Sequence, residues 1–123
     1  MNGNTARILL MIARLSWLLA LGTGVAFWLG WGVPLHAHMG LGGLMVLSLL
    51  GIALLGLSRR PGLALALAAV AVLVPVVGMM QLMAPLFDSR ALTQVVHVAL
   101  GFCAIGLGEV LVKRMKQGAA PLV

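Results

Sequence analysis

The sequence predicts an all-α integral membrane protein, a bundle of four helices, and three observations carry that prediction. Hydrophobic residues make up 63% of the 123-residue chain and charged residues only 8%. The mean hydropathy is +1.18, a balance no soluble domain of this size sustains, because its surface would have to be polar. Four stretches, 15–33, 34–57, 63–84 and 91–112, come close to or exceed the ~20 residues that carry a helix across the hydrocarbon. Apart from Glu109, the charged residues lie between or beyond them.

Each element then follows from its own residues. Met1 to Thr5 is a short polar tail, and Arg7 and Arg14 flank apolar residues expected at a membrane interface. The span 15–33 has Trp17 near its start and Trp28 and Trp31 near its end, as aromatic belts at two interfaces would. A secretory leader would have a shorter apolar core and an A-x-A-like cleavage site, so this segment is expected to persist in the mature protein. Pro34, with the fixed φ suited to a first helical turn, should open the second span. Ser58-Arg59-Arg60-Pro61-Gly62 reads as a tight turn, because two charges, a proline and a glycine all oppose helix continuation in lipid. Pro75 removes a backbone hydrogen bond inside the third span and is expected to kink it. Pro85-Leu86-Phe87-Asp88-Ser89-Arg90 forms the next turn, and Lys113, Arg114 and Lys116 follow the last span.

Up-down-up-down threading puts Arg7, Arg14, Arg59, Arg60, Lys113, Arg114 and Lys116 on one side and Arg90 alone on the other. By the positive-inside rule both termini are then cytoplasmic, and the membrane is expected to be a cell inner membrane crossed several times. The net charge of +6 is explained by this topology, so the bilayer is an expected partner and nucleic acid is not. Glu109 is expected to pair with Lys113, four residues on. Cys103, the single cysteine, excludes an internal disulfide and reads as a small buried side chain. Neither a Ser/His/Asp set, nor paired carboxylates, nor a phosphate-binding loop is present, which argues against hydrolysis and phosphoryl transfer.

The residues that call for explanation are the histidines, since an ionisable group inside hydrocarbon is costly and marks function. His38 lies roughly 6 Å below Pro34 and His97 roughly 9 Å below Ala91, at 1.5 Å of rise per residue. Both spans enter from the same outer side, so the two histidines are expected at similar depth, with room between them for an iron atom. Each has glycine four residues later, Gly42 and Gly101, on the same helix face. Bare backbone there would suit a flat macrocycle, although small residues are also how membrane helices pack without any cofactor. Met45, Ala104 and Gly108 continue these faces. The two halves of the chain form a faint repeat, each ending in a helix with His-x-x-x-Gly, which would relate the hairpins about an axis along the membrane normal. Thr93, one turn before His97, could accept a hydrogen bond from its ring and orient it. Arg90, the only outer cation, could pair with propionates, or with Asp88 across the turn. His36 and the methionines Met79, Met80 and Met83 are the other candidate ligands near the outer face.

On His38-Met39-Gly40-Leu41-Gly42 and His97-Val98-Ala99-Leu100-Gly101, the chain resembles the four-helix membrane b-type cytochromes, which include ferric-reductase-like and superoxide-oxidase-like groups. The resemblance covers the helical core from Leu15 to Val112. It implies one haem b held by His38 and His97 near the outer face, with Gly42, Gly101, Thr93 and Arg90 around it. It implies electron exchange with a quinone or quinol or an outer-face redox partner. Members of that superfamily commonly carry two haems on four histidines; here no histidine lies near the cytoplasmic side, so a complete transmembrane electron path is not implied.

Two other classes stay open at this point. A transition-metal handling protein could use His36, His38 and the outer methionines for copper. A structural or assembly subunit could use its glycine-rich faces to pack in a homodimer or a larger complex.

Overall fold

The computed structural model describes residues 3–118, and among them regular structure is entirely helical. Four long helices, α1 (Gly3–Trp28), α2 (Leu35–Gly56), α3 (Pro61–Met83) and α4 (Arg90–Gly118), are joined by short turns, the last containing a 3₁₀ turn, Leu86–Asp88. All four are long and apolar enough to cross a membrane, and the chain is a multi-pass membrane protein. Large apolar side chains cover the outside as well as the inside: Leu47, Leu54, Leu65 and Val95 are all more than 60% exposed. Such a surface would drive aggregation in water but is the natural exterior of a bundle solvated by lipid.

Helices α1 and α4 extend beyond the spans expected to cross the membrane, through residues that carry charge. α1 begins at Gly3, well before Leu15, and α4 continues to Gly118, beyond Val112. Arginine and lysine do not interrupt backbone hydrogen bonding; long side chains carry their charge outward from a continuing helix. At 26 and 29 residues, α1 and α4 are about 39 and 44 Å long, more than the ~30 Å hydrocarbon. Trp17 lies mid-helix, half-buried against Phe102 with ring centroids 4.9 Å apart. Pro34 is the extended N-cap of α2, not its first turn, because the chain reverses through Gly30 and Gly32, both at φ near +75°, where a side chain would strain. Proline does open a helix at Pro61. α3 runs unbroken through Pro75.

α1 packs on α2, α2 on α3 and α3 on α4, and α4 also touches both α1 and α2. The apolar core lies toward the end of the bundle that carries the basic residues, with Leu49, Ile52, Leu67 and Leu111 fully enclosed. Close approach there depends on glycine. A methyl group added at Gly108 would fall 2.8 Å from a Leu49 methyl, one at Gly56 2.9 Å from Leu111, and one at Gly51 3.1 Å from Leu9. Leucine knobs thus fill glycine holes across helix interfaces, the small-residue packing that lipid-embedded helices need when no hydrophobic drive presses them together. Glu109 accepts both its bonds from Arg14 on α1, at 2.5 and 2.7 Å, not from Lys113. The guanidinium fork matches a carboxylate in a way a lysine one turn away does not. Cys103 is exposed, not buried.

Candidate functional site

Beyond the leucine core, toward the other end of the bundle, histidines take the place of leucines. A methyl group added at Gly24 on α1 would fall 2.9 Å from His38 Cε1, and one at Gly78 on α3 would fall 2.8 Å from His97 Cε1. Each imidazole is therefore seated in a glycine hole of the preceding helix. The seat has a second component one turn earlier on the same helix: His38 Nδ1 lies 2.8 Å from the carbonyl oxygen of Ala20, and His97 Nδ1 lies 2.9 Å from that of Val74. Both cradles have the same construction, a carbonyl at position i and a glycine at i+4. A helical carbonyl keeps a second lone pair after its intrahelical bond, and the missing side chain at i+4 leaves the ring room to reach it.

This geometry fixes the tautomer. A carbonyl oxygen only accepts, so Nδ1 carries the hydrogen and donates it in both rings, and in the neutral form of such a ring the lone pair is on Nε2. Neither Nε2 has a hydrogen-bond partner among the described residues. Every fully buried side-chain nitrogen and oxygen among those residues is satisfied, so the two Nε2 atoms open onto space. The rings themselves lie 6.0 Å apart between centroids, with planes inclined at 66°. Two imidazoles from helices far apart in sequence are thus held as neighbours, each with its outer nitrogen tethered to backbone and its other nitrogen free to act as a Lewis base.

The remaining candidates are less closely gathered. Thr93 is completely buried, but its hydroxyl donates to Ser89 O at 2.7 Å and accepts from Leu86 N at 2.8 Å. The bond expected between Thr93 and the His97 ring is therefore not made; Val74 takes that role, and Thr93 ties the 3₁₀ turn to α4. Gly101 is buried beneath Trp17, whose Nε1 would lie 3.5 Å from an added methyl. Gly42 is half-exposed with nothing nearby. Arg90 is exposed and forms neither a hydrogen bond nor an ion pair with Asp88, whose backbone is in the left-handed region at φ 55°. His36 is exposed. Met79, Met80 and Met83 line a shallow apolar cleft of about 450 Å³ with Pro75 on α3. No group of three or more His, Cys, Asp and Glu side chains comes together among the described residues.

Gly24 and Gly78 were missed by reading each histidine against its own helix. The available signal was the spacing Ala20-x-x-x-Gly24 and Val74-x-x-x-Gly78 on the helices before them. Comparison of the chain with protein-family models, with curated proteins and with solved structures finds no match.

Proposed function

We propose that the chain is a membrane b-type cytochrome that holds one haem between His38 and His97 and passes electrons to or from a quinol or an outer-face redox protein. The observation that carries this reading is the matched pair of imidazoles, 6.0 Å apart, with both Nδ1 atoms committed to backbone carbonyls. Two neighbouring imidazoles, each with Nε2 uncommitted, are a donor set that a haem iron would accept.

His38 and His97 would hold a haem there, and it would supply a one-electron ferric–ferrous couple. The chain's own part is to hold the ligands. Ala20 O and Val74 O fix the tautomer and raise the basicity of Nε2, as carbonyl partners of metal-bound histidines do. Gly24 and Gly78 set how far each ring can sit from the neighbouring backbone. In this reading the four helices thread up-down-up-down, both termini face the cytoplasm, and the histidine end faces outward from a cell inner membrane, since seven of the eight basic residues lie toward the other end. Gly42, Gly101 and Arg90 would border the macrocycle, and Thr93 would support the helix that delivers His97.

A copper-handling role has less support. No cluster of three ligands forms among the described His, Cys, Asp and Glu, and the three methionines line a cleft on α3. The test is a visible spectrum of detergent-purified protein, oxidised and dithionite-reduced, from cells supplied with haem. A sharp reduced α-band is expected, lost or altered in both His38→Ala and His97→Ala and retained in His36→Ala. Colourless wild-type protein would overturn the cytochrome reading.

A further inference from the structure

At the opposite end of the bundle from the histidines, three arginines from two distant segments converge. Arg59 and Arg60 come from the turn between α2 and α3, Arg114 from the last turns of α4, and with Met115 and Gly118 they line a cleft of about 440 Å³. Arg60 reaches over the end of α4: a methyl group at Gly118 would come 3.4 Å from its guanidinium nitrogen. The cleft thus joins elements more than fifty residues apart and is not a run of charge along one helix.

Among the described residues no acidic side chain neutralises it. The sequence contains two acidic residues; Asp88 lies in the turn at the histidine end, and both oxygens of Glu109 are occupied by Arg14. Gathering like charges costs Coulomb energy that an anion would reverse. Arginine forks match the paired oxygens of a phosphate, a geometry that lysine lacks. The floor of the cleft is the buried apolar side chain of Met115, and the ends of membrane-spanning helices lie at headgroup level, where phosphate diesters are concentrated and basic pockets between helices capture them.

We infer that Arg59, Arg60 and Arg114 form a binding site for the phosphate of an anionic phospholipid. The site is independent of haem. A free phosphate ion offers the same oxygens, so the experiment separates the two sources.

The purified protein in uncharged detergent is titrated with dioctanoyl-phosphatidylglycerol, with dioctanoyl-phosphatidylcholine and with inorganic phosphate, and bound molecules are counted by native mass spectrometry. Phosphatidylglycerol should bind with defined stoichiometry and the other two should not compete with it. The variant Arg59→Gln/Arg60→Gln/Arg114→Gln should weaken binding about tenfold or more, whereas Arg7→Gln/Lys113→Gln/Lys116→Gln, which removes the same charge outside the cleft, should not. Should the triple arginine variant not fold, Arg114→Lys keeps the charge, loses the fork, and should still bind several-fold more weakly. Equal binding of phosphatidylcholine, equal loss in both triple variants, or displacement by inorganic phosphate would each overturn the assignment.

Discussion

The two halves of this bundle use one packing device for two purposes. Toward the basic end, glycines 51, 56 and 108 receive Leu9, Leu111 and Leu49; toward the other end, glycines 24 and 78 receive His38 and His97. The hole is the same and the knob differs. A leucine fills its hole and is finished, because nothing on its surface seeks a partner. An imidazole fills its hole with one edge, bonds the carbonyl behind it with Nδ1, and is left with Nε2 unused. The histidine half is therefore closed by helix packing yet chemically incomplete, and the leucine half supplies the rigidity that keeps two such rings 6.0 Å apart.

Converting one half into the other gives the largest expected effect. On the proposed haem reading, His38→Leu/His97→Leu should abolish haem binding entirely while preserving the helical bundle, with a thermal midpoint of the haem-free protein equal to or above that of haem-free wild type. Loss of the helical circular-dichroism signal would instead mean that the histidines, without cofactor, hold the bundle together. Next come Gly24→Ala and Gly78→Ala. The methyl group at position 78 meets Cε1 of a ring already bonded to Val74, so the ring must leave its carbonyl. If the pair holds haem as proposed, losing such a partner should lower haem affinity about 10–100-fold, measured by haem titration; unchanged affinity in both variants would show that the cradle does not tune the site.

In the leucine half the same substitution acts on stability alone. Gly56→Ala puts a methyl group 2.9 Å from both Leu111 methyl carbons and 3.1 Å from its Cγ. The leucine cannot clear all three contacts by a small rotation, so overpacking should cost about 1–3 kcal/mol, measured by thermal or denaturant unfolding in detergent, and on the proposed haem reading the visible spectrum should be unaltered.

What the sequence disclosed and what it withheld divide along the same line. The four helices were legible because hydrocarbon demands long apolar runs, and the two histidines stood out because the same solvent penalises them. Their similar depth followed from helix rise alone. The partners of those histidines were not legible. The glycine four residues after each histidine, Gly42 and Gly101, shares its helix, whereas the glycine that seats each ring is on the helix before, and helix-to-helix register is a property of packing that no single-helix spacing encodes. The same limit explains Glu109: the lysine one turn along could be seen in the sequence, and the arginine on α1 could not. Helices α1 and α4 run past the expected spans 15–33 and 91–112 because charge limits the membrane crossing but not the helix.

The smallest effects concern the contacts that brace the histidine half from outside. Thr93 is fully enclosed and satisfies two backbone groups of the preceding turn, so Thr93→Val leaves Leu86 N–H without an acceptor and should cost about 1–3 kcal/mol. Because its hydroxyl does not touch His97, the absorption of the proposed haem should stay where it is; a shift matching that of Gly78→Ala would show that the threonine reaches the ring. Arg14→Gln removes the one ion pair between α1 and α4 among the described residues. Its two side chains are 52% and 39% exposed, and a pair so open to its surroundings contributes less than about 1 kcal/mol, further reduced by salt. Stability should therefore fall only slightly, and the difference from wild type should shrink as ionic strength rises. A larger, salt-insensitive loss would mean that lipid screens this pair far less than water would. The leucine half would then owe its rigidity to charge as well as to glycine holes, and the contrast between the halves would no longer be one of knobs alone.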